Sequence, residues 1–406
     1  MESTTRRALL KWGVAAALSS RVPYALATER TDRKKLPRYF MSVLLGGGID
    51  AILSADPKSR AEVEPWVDIP YRSSDIVSAG NLRLGPLFQP LVPTASRLTF
   101  VNGVQVGTAN HITGRALFAR MATGGEPTSD VINPTRVLEL IGNHRDTQAV
   151  GFIDTTKWLS MGRLPSGMDM FTRLEAFSPE ECRMMMLSLR KQAERLRPST
   201  PATARSFEET ASYLERLPSV PTFREEIWSE NSDAQRGARA LQRALWAFKH
   251  DLARAFYIEI PSHNAFDSHN FNLPRQTKSA ESTIPMLARF FQTLESTSNQ
   301  HGKLADTTVA VFGSELGRFP RINGSEGKDH FPEVPLVFYG ANSQHGVFGA
   351  TDRTMMGVPI SLKTGAPQAG GHTLVLDDVG TTLLHLGGVA NPKIYGYTGT
   401  VLPFLV

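Results

Sequence analysis

Apolar residues in this chain gather in short continuous runs rather than in alternation. Tyr39 to Leu45 is the first, stopped by Gly46-Gly47-Gly48. Similar runs follow at Leu98–Val101, Ala149–Ile153, Ala255–Ile260, Thr308–Phe312 and Pro335–Tyr339. A run of this length, apolar on consecutive positions, reads as a strand buried on both faces. Between the runs the spacing changes to that of helices. Leu241, Leu245, Phe248 and Leu252 share one face, as do Leu287, Phe290, Phe291 and Leu294. Ser282 and Thr283 are the candidate caps of the latter helix, and 377–386 reads as a further helix. Strands alternating with helices predict an α/β fold: a mostly parallel sheet covered by helices on both faces. In such sheets ligands gather at the carboxyl ends of strands. Residues from about 178 to 250 break the rhythm. They are polar and helical, interrupted by Pro198, Pro201, Pro218 and Pro221. They are expected to be a helical insertion lying against the sheet, not a domain of their own. No internal repeat or low-complexity tract is evident.

The first residues predict processing rather than fold. Arg6-Arg7 precede a mild apolar stretch, and Ala25-Leu26-Ala27 offers a small-x-small cleavage site. Residues 1–27 are therefore expected to be a twin-arginine signal peptide and 28–37 a charged linker, with one α/β domain over 38–406. This implies the twin-arginine translocase as a partner during export and a periplasmic address. No apolar stretch is long enough for a permanent membrane span.

Composition narrows the chemistry. The chain has 406 residues, 44 Lys+Arg, 39 Asp+Glu and a net charge of +5. The excess is small and scattered, so nucleic acid is not an expected partner. The single cysteine, Cys182, excludes an internal disulfide and a cysteine-based zinc cluster.

The candidate chemistry sits after the strands. Asp50 follows the three glycines and either projects from the strand end or belongs to an ordinary glycine-rich turn. The spacing is not a dinucleotide fingerprint. The run ending at Val101 leads to Thr108-Ala109-Asn110-His111-Ile112-Thr113. After Ile260 come His263, Asp267 and His269, the densest group of ligand-type side chains in the chain. Carboxylate with imidazole suits zinc, manganese or iron. After Phe312 come Ser314-Glu315 and, further on, Asp329-His330, with Arg318, Arg321 and Lys328 nearby. Those three cations either meet a phosphate or sulfate group or form a solvated basic loop. His372, after Gly370-Gly371, either approaches the same edge or stays in its loop. Together these groups predict one or two divalent metal ions at one sheet edge.

Leu44-Leu45-Gly46-Gly47-Gly48-Ile49-Asp50, Phe266-Asp267-Ser268-His269-Asn270, Ser314-Glu315-Leu316-Gly317-Arg318 through Gly324, and Gly327-Lys328-Asp329-His330-Phe331-Pro332 resemble one bacterial family, as does the twin-arginine start. This is the exported domain of unknown function 1501 family, of the alkaline-phosphatase-like, sulfatase-like superfamily. The resemblance covers most of 38–390, with almost nothing from 178–250. It implies that fold, and a divalent metal (zinc, manganese, calcium or magnesium) held by Asp50, Asp267, His269, Glu315, Asp329 and His330. Arg318, Arg321 and Lys328 would bind substrate. Where the family usually shows Ser-His, this chain has Asn110-His111, and Asn cannot act as an alkoxide nucleophile. No formylglycine pattern is present, which argues against sulfatase activity of the usual kind. The resemblance thus implies a periplasmic metal-dependent hydrolase of phosphate or sulfate esters, on small molecules or polymers. Metal-bound water would attack, Asn110 would contact substrate or water, and His111 would orient the water or act as general acid. The alternative is a catalytically degenerate relative with a binding or structural role in the envelope.

Overall fold

A computed structural model describes residues 37–123, 178–201, 223–260, 265–340 and 344–406, with scattered positions at 134, 138 and between 204 and 215. The export signal, the run at 149–153 and His263 lie outside the described residues.

The main elements are β1 (Tyr39–Leu45), β2 (Leu98–Gln105), α1 (His111–Arg120), α2 (Pro179–Leu196), α3 (Ser232–Lys249), β3 (Ala255–Ile260), α4 (Asn272–Ser296), β4 (Thr308–Gly313), β5 (Gly317–Arg318), β6 (His330–Phe331), β7 (Glu333–Gly340), β8 (Gly346–Gly349) and α5 (Leu376–Leu386). Six strands form one sheet in the order β8-β2-β7-β4-β1-β3. All neighbours run parallel except β7, which is antiparallel to both β2 and β4. The sheet is thus mixed and mostly parallel, with helices packed against it. Every residue of β1, β3, β4 and β7 is buried, as continuous apolar runs require.

Alternation along β1 feeds two cores. Tyr39, Met41, Val43 and Leu45 join one apolar cluster with α2, α3 and α4. Phe40 and Leu44 join the other, with Leu117 and Phe118 of α1 and Leu383 and Leu384 of α5. The helices of 178–250 that are described belong to the first cluster through Cys182, Met185, Leu189, Leu241 and Phe248.

One boundary differs from the sequence reading. Leu287, Phe290, Phe291 and Leu294 are fully buried on α4, but the helix starts at Asn272, so Ser282 and Thr283 are interior and do not cap it. Pro285 sits inside the helix. In the true first turns two polar side chains, Asn272 and Gln276, are buried. Asn272 Nδ2 donates to Asp50 Oδ2 at 2.8 Å, and Gln276 Nε2 donates to the Gly48 and Phe266 carbonyls at 2.9 and 2.8 Å. Those bonds staple α4 to the loops after β1 and β3, and polar residues with such partners read as loop in the sequence.

The opposite end of β1 is anchored by buried Asp251. Its carboxylate accepts from Arg38 (3.1 and 3.2 Å), the Tyr39 hydroxyl (2.7 Å) and Gln300 (3.1 Å). Burial pushes this carboxyl up, but Arg38 and its other partners outweigh burial and hold it below the usual range. A lowered folded-state value contributes stability above the unfolded value of about 3.9, lost as pH falls through the folded value. Asp251 has φ of 52°, which asparagine tolerates. Asp251→Asn is therefore expected to lower the melting temperature most at neutral pH, with the mutant and wild-type curves converging below about pH 4. A melt series from pH 3 to 8 checks this.

Candidate metal centre at the sheet edge

Register brings five strand ends to one edge. Leu45 of β1 pairs with Ile260 of β3, and Leu44 with Gly313 of β4. β2 runs the same way and ends at Gln105. The reversed strand β7 begins at this edge, pairing Glu333 with Gln105, so the residues just before it arrive there too. The antiparallel strand is what delivers His330.

Four half-buried side chains meet at this edge: His111, Asp267, His269 and His330, with one ligand-type atom of each within 4.8 Å of all the others. Each imidazole is held from behind through Nδ1. His111 Nδ1 lies 2.8 Å from Glu315 Oε1, His269 Nδ1 3.3 Å from Asp329 Oδ1, and His330 Nδ1 2.6 Å from the Ala109 carbonyl. All three partners are acceptors, so Nδ1 carries the proton and Nε2 keeps its lone pair. The Nε2 atoms then face inward. Those of His269 and His330 are 2.8 Å apart. That of His111 is buried without a hydrogen bond, 3.5 Å from Asp267 Oδ2. Lone pairs directed at one another beside a carboxylate need a cation between them. An Nδ1 bonded to a carboxylate or carbonyl is the usual support behind a metal-bound histidine.

The charges agree. Burial would lower the His111 imidazole, but Asp267 and Glu315 outweigh it and raise it to about 9. Burial, together with the positive charge of its neighbours, lowers His330 despite its bond to Ala109. Asp267 is held well below the carboxylate range by His111 and Arg318, although burial opposes this.

The structure redistributes the roles that the sequence suggested. Asp267, His269 and His330 come together. His111, expected as an orienting group or acid, joins them. Glu315 is fully buried, accepts from the Gly47 amide at both oxygens (2.9 and 3.1 Å) and holds His111 Nδ1 at 2.8 Å. Asp329 holds His269 and is itself held by Asn323 Nδ2 at 3.1 Å. Both carboxylates therefore lie behind the imidazoles, outside the group of four. Asp50 is elsewhere: its carboxylate meets Lys328 Nζ at 2.8 Å and Asn272 Nδ2 at 2.8 Å. The Lys328 side chain is fully buried between Asp50 and Asp68 (3.4 Å). Arg318 is buried too, donating to Asp267 at 2.7 Å and to the Gly47, Gly48 and Lys328 carbonyls. Of the three cations expected at substrate, Arg321 alone is exposed. His372 bonds Asp378 at 2.7 Å, away from the group.

Close approach sets two glycines. A Cβ on Gly327 would fall 1.9 Å from the His269 carbonyl, and one on Gly114 would fall 2.7 Å from the Glu315 carbonyl. These contacts seat the Asp329-His330 loop and α1 against the metal residues.

Asn110 is the N-cap of α1. Its Oδ1 accepts from the Ile112 and Thr113 amides at 2.9 and 3.1 Å, so the side chain that fills the nucleophile position is engaged in a cap. Asn110→Ala is expected to cost about 1 kcal/mol of stability and Asn110→Asp much less, with bound metal retained in both. Thermal melts with metal analysis check this.

Sequence reasoning undervalued His111 and missed Ala109, whose backbone carbonyl orients His330. The signal for His111 was its place at the start of a helix, one residue after a capping Asn. Nothing in the sequence marks a carbonyl.

Comparison with known proteins adds the following. No curated protein matches the chain. Among solved structures, it is similar to the lipoteichoic acid synthase LtaP from Listeria monocytogenes, at 10% identity over 93% of this chain and 79% of that one, with a TM-score of 0.41. It is also similar to the PsFucS1 sulfatase from Pseudoalteromonas sp., at 14% identity over 98% of this chain and 75% of that one, with a TM-score of 0.39. The family described as "Protein of unknown function (DUF1501)" matches residues 178–389. This span includes the helices before β3, which were expected to contribute almost nothing, and omits Asp50, Asn110 and His111. It does contain Asp267, His269, Glu315 and His330, and with more than half of its length matched the chain belongs to the DUF1501 family.

Proposed function

We propose that this protein is a metal-dependent hydrolase of phosphate or sulfate esters, exported to the periplasm by the twin-arginine route signalled by Arg6-Arg7. The observation that carries the metal is the convergence of three imidazoles and the Asp267 carboxylate, one ligand-type atom of each within 4.8 Å of all the others. Three imidazoles and one carboxylate suit zinc or another first-row ion better than calcium or magnesium, which take oxygen ligands. Such an ion supplies Lewis-acid charge for an anionic ester and a nucleophilic hydroxide near neutral pH. This chain's residues hold it in place: Glu315, Asp329 and the Ala109 carbonyl fix the imidazoles, and Arg318 fixes Asp267. Lys328 already neutralises Asp50, so Asp50 needs no second ion and one metal per chain is expected.

A second reading rests on the Asn110 cap: a metal-binding relative that has given up turnover and serves as a binding or structural protein of the envelope. One experiment separates the two. Purified protein is analysed for metal, then melted with and without a chelator, then assayed on phosphomonoesters, phosphodiesters and sulfate esters. Metal at a hundredfold excess over its Kd is expected to add about 2.7 kcal/mol. Bound metal with ester cleavage supports the hydrolase. Bound metal without cleavage supports the second reading, and superimposable melts with no metal overturn both. No helix among the described residues is long and apolar enough to cross a membrane.

A further inference from the structure

An open groove of about 380 Å³ is lined by Arg60, Trp66, Asp68, Arg321 and Ile322 among others. That is within the size of small-molecule sites, about 300–1,000 Å³. One wall is an aromatic platform. Trp66 and Phe319 stack with ring centroids 6.2 Å apart and planes 17° from parallel. They nevertheless remain 41% and 38% exposed, more than packing alone leaves on large aromatic rings. Arg321 is exposed and unpaired among the described residues. Arg60 keeps its charge while donating to the Val67 and Glu64 carbonyls. The remaining charge in the groove, Asp68, is engaged by Lys328 at 3.4 Å.

The groove and the metal residues share one piece of chain. In the segment from β5 to β6, Arg318 binds Asp267, Asn323 binds Asp329, and His330 joins the metal group. The same segment gives Arg321 and Ile322 to the groove, and its Phe319 stacks on Trp66 of the groove wall. The Phe319 amide donates to the Asp329 carbonyl at 2.8 Å, and the Asp68 amide donates to the Pro320 carbonyl at 2.7 Å. The groove wall is therefore fixed relative to the residue that orients His269.

We propose that this groove binds the sugar portion of the ester substrate, specifically a sugar ring that carries an additional acidic group. The ring's C–H face lies on the Trp66–Phe319 platform, and its acidic group pairs with Arg321. A polar groove with an aromatic platform on one wall favours a sugar over an apolar aryl group, because hydroxyls find partners in Arg60, Asp68 and Arg321. This deepens the ester-hydrolase reading and rests on it for the reason a sugar is present. Binding itself is measured without turnover.

The test is affinity electrophoresis and calorimetry on the whole protein with dextran sulfate, neutral dextran and polyglutamate as probes. The expected result is that dextran sulfate binds wild type and His269→Ala equally. Trp66→Ala and Arg321→Ala, with unchanged melting, each bind it about tenfold more weakly, and neutral dextran and polyglutamate bind poorly. Arg321→Ala alters an exposed side chain and keeps the test decisive if Trp66→Ala does not fold. Equal binding of polyglutamate, or full binding by Trp66→Ala, reduces the site to general polyanion attraction and overturns the proposal. Absence of dextran sulfate binding overturns it as well. Failure of the metal reading looks different, since wild type would then hold no metal while glycan binding persisted.

Discussion

His269→Ala is expected to leave the protein folded and empty of metal. The residue is partly exposed, with 42% of its side chain accessible, and its contacts are polar ones to Asp329 and His330, so little packing is lost. What is lost is one of three converging Nε2 atoms. Changing a group behind a ligand typically costs 10–100-fold in metal affinity, and removing the ligand itself is expected to cost more than about 100-fold. Ester cleavage, chelator sensitivity and the metal-dependent rise in melting temperature should disappear together. Asp267→Ala is expected to lose metal too, but less cleanly. It strips buried Arg318 of the carboxylate it is hydrogen-bonded to, so the fold suffers at the same time. Elemental analysis of the two purified variants is the measurement. A His269→Ala protein that keeps stoichiometric metal would remove this residue from the centre.

Lys328→Met is expected to produce the opposite pattern, a large stability loss with the metal residues intact. The Lys328 ammonium is fully buried against Asp50, which is itself 1% exposed, and it also neutralises Asp68. Removing one member of a buried pair leaves an uncompensated charge and costs about 3–5 kcal/mol. Asn272 and the Ile52 amide still bond the Asp50 carboxylate and soften the loss. The double variant Lys328→Met with Asp50→Asn removes the stranded charge and is expected to recover part of the stability. Chemical denaturation of the two variants measures this. If Lys328→Met alone lost metal stoichiometrically without loss of stability, Asp50 and Lys328 would belong to the metal centre after all.

The two predictions separate groups that look alike in the sequence. Asp50 and Asp267 both follow a buried strand, and both carry the appearance of a ligand. Their fates diverge because of what lies opposite each. Asp50 faces the buried ammonium of Lys328 and the amide of Asn272, from elements 278 and 222 residues away in the chain. Asp267 faces the open side of the edge, where three imidazoles arrive. Glu315 and Asp329 sit one shell further back because the ring of a histidine stands between each of them and the centre.

The sequence by itself determined the strands at 39–45, 98–105, 255–260, 308–313 and 333–340, because a strand buried on both faces is apolar along most of its length, and that is visible locally; it did not mark the edge strand Gly346–Gly349. It pointed to the edge where the chemistry collects, since the runs ending at Leu45, Ile260 and Phe312 are each followed by a polar loop that carries acidic or imidazole groups. It also singled out Asp267, His269 and His330. Tertiary structure alone decided which of the expected cations are buried, Arg318 and Lys328, and which is exposed, Arg321. It decided the reversal of β7 that brings His330 to the edge, and the start of α4, whose polar first turn is satisfied by distant loops. It turned His111 from an accessory group into a member of the centre. Each of these depends on a partner far along the chain, and hydrogen-bond direction and burial are properties of such pairs rather than of any residue's neighbours in sequence.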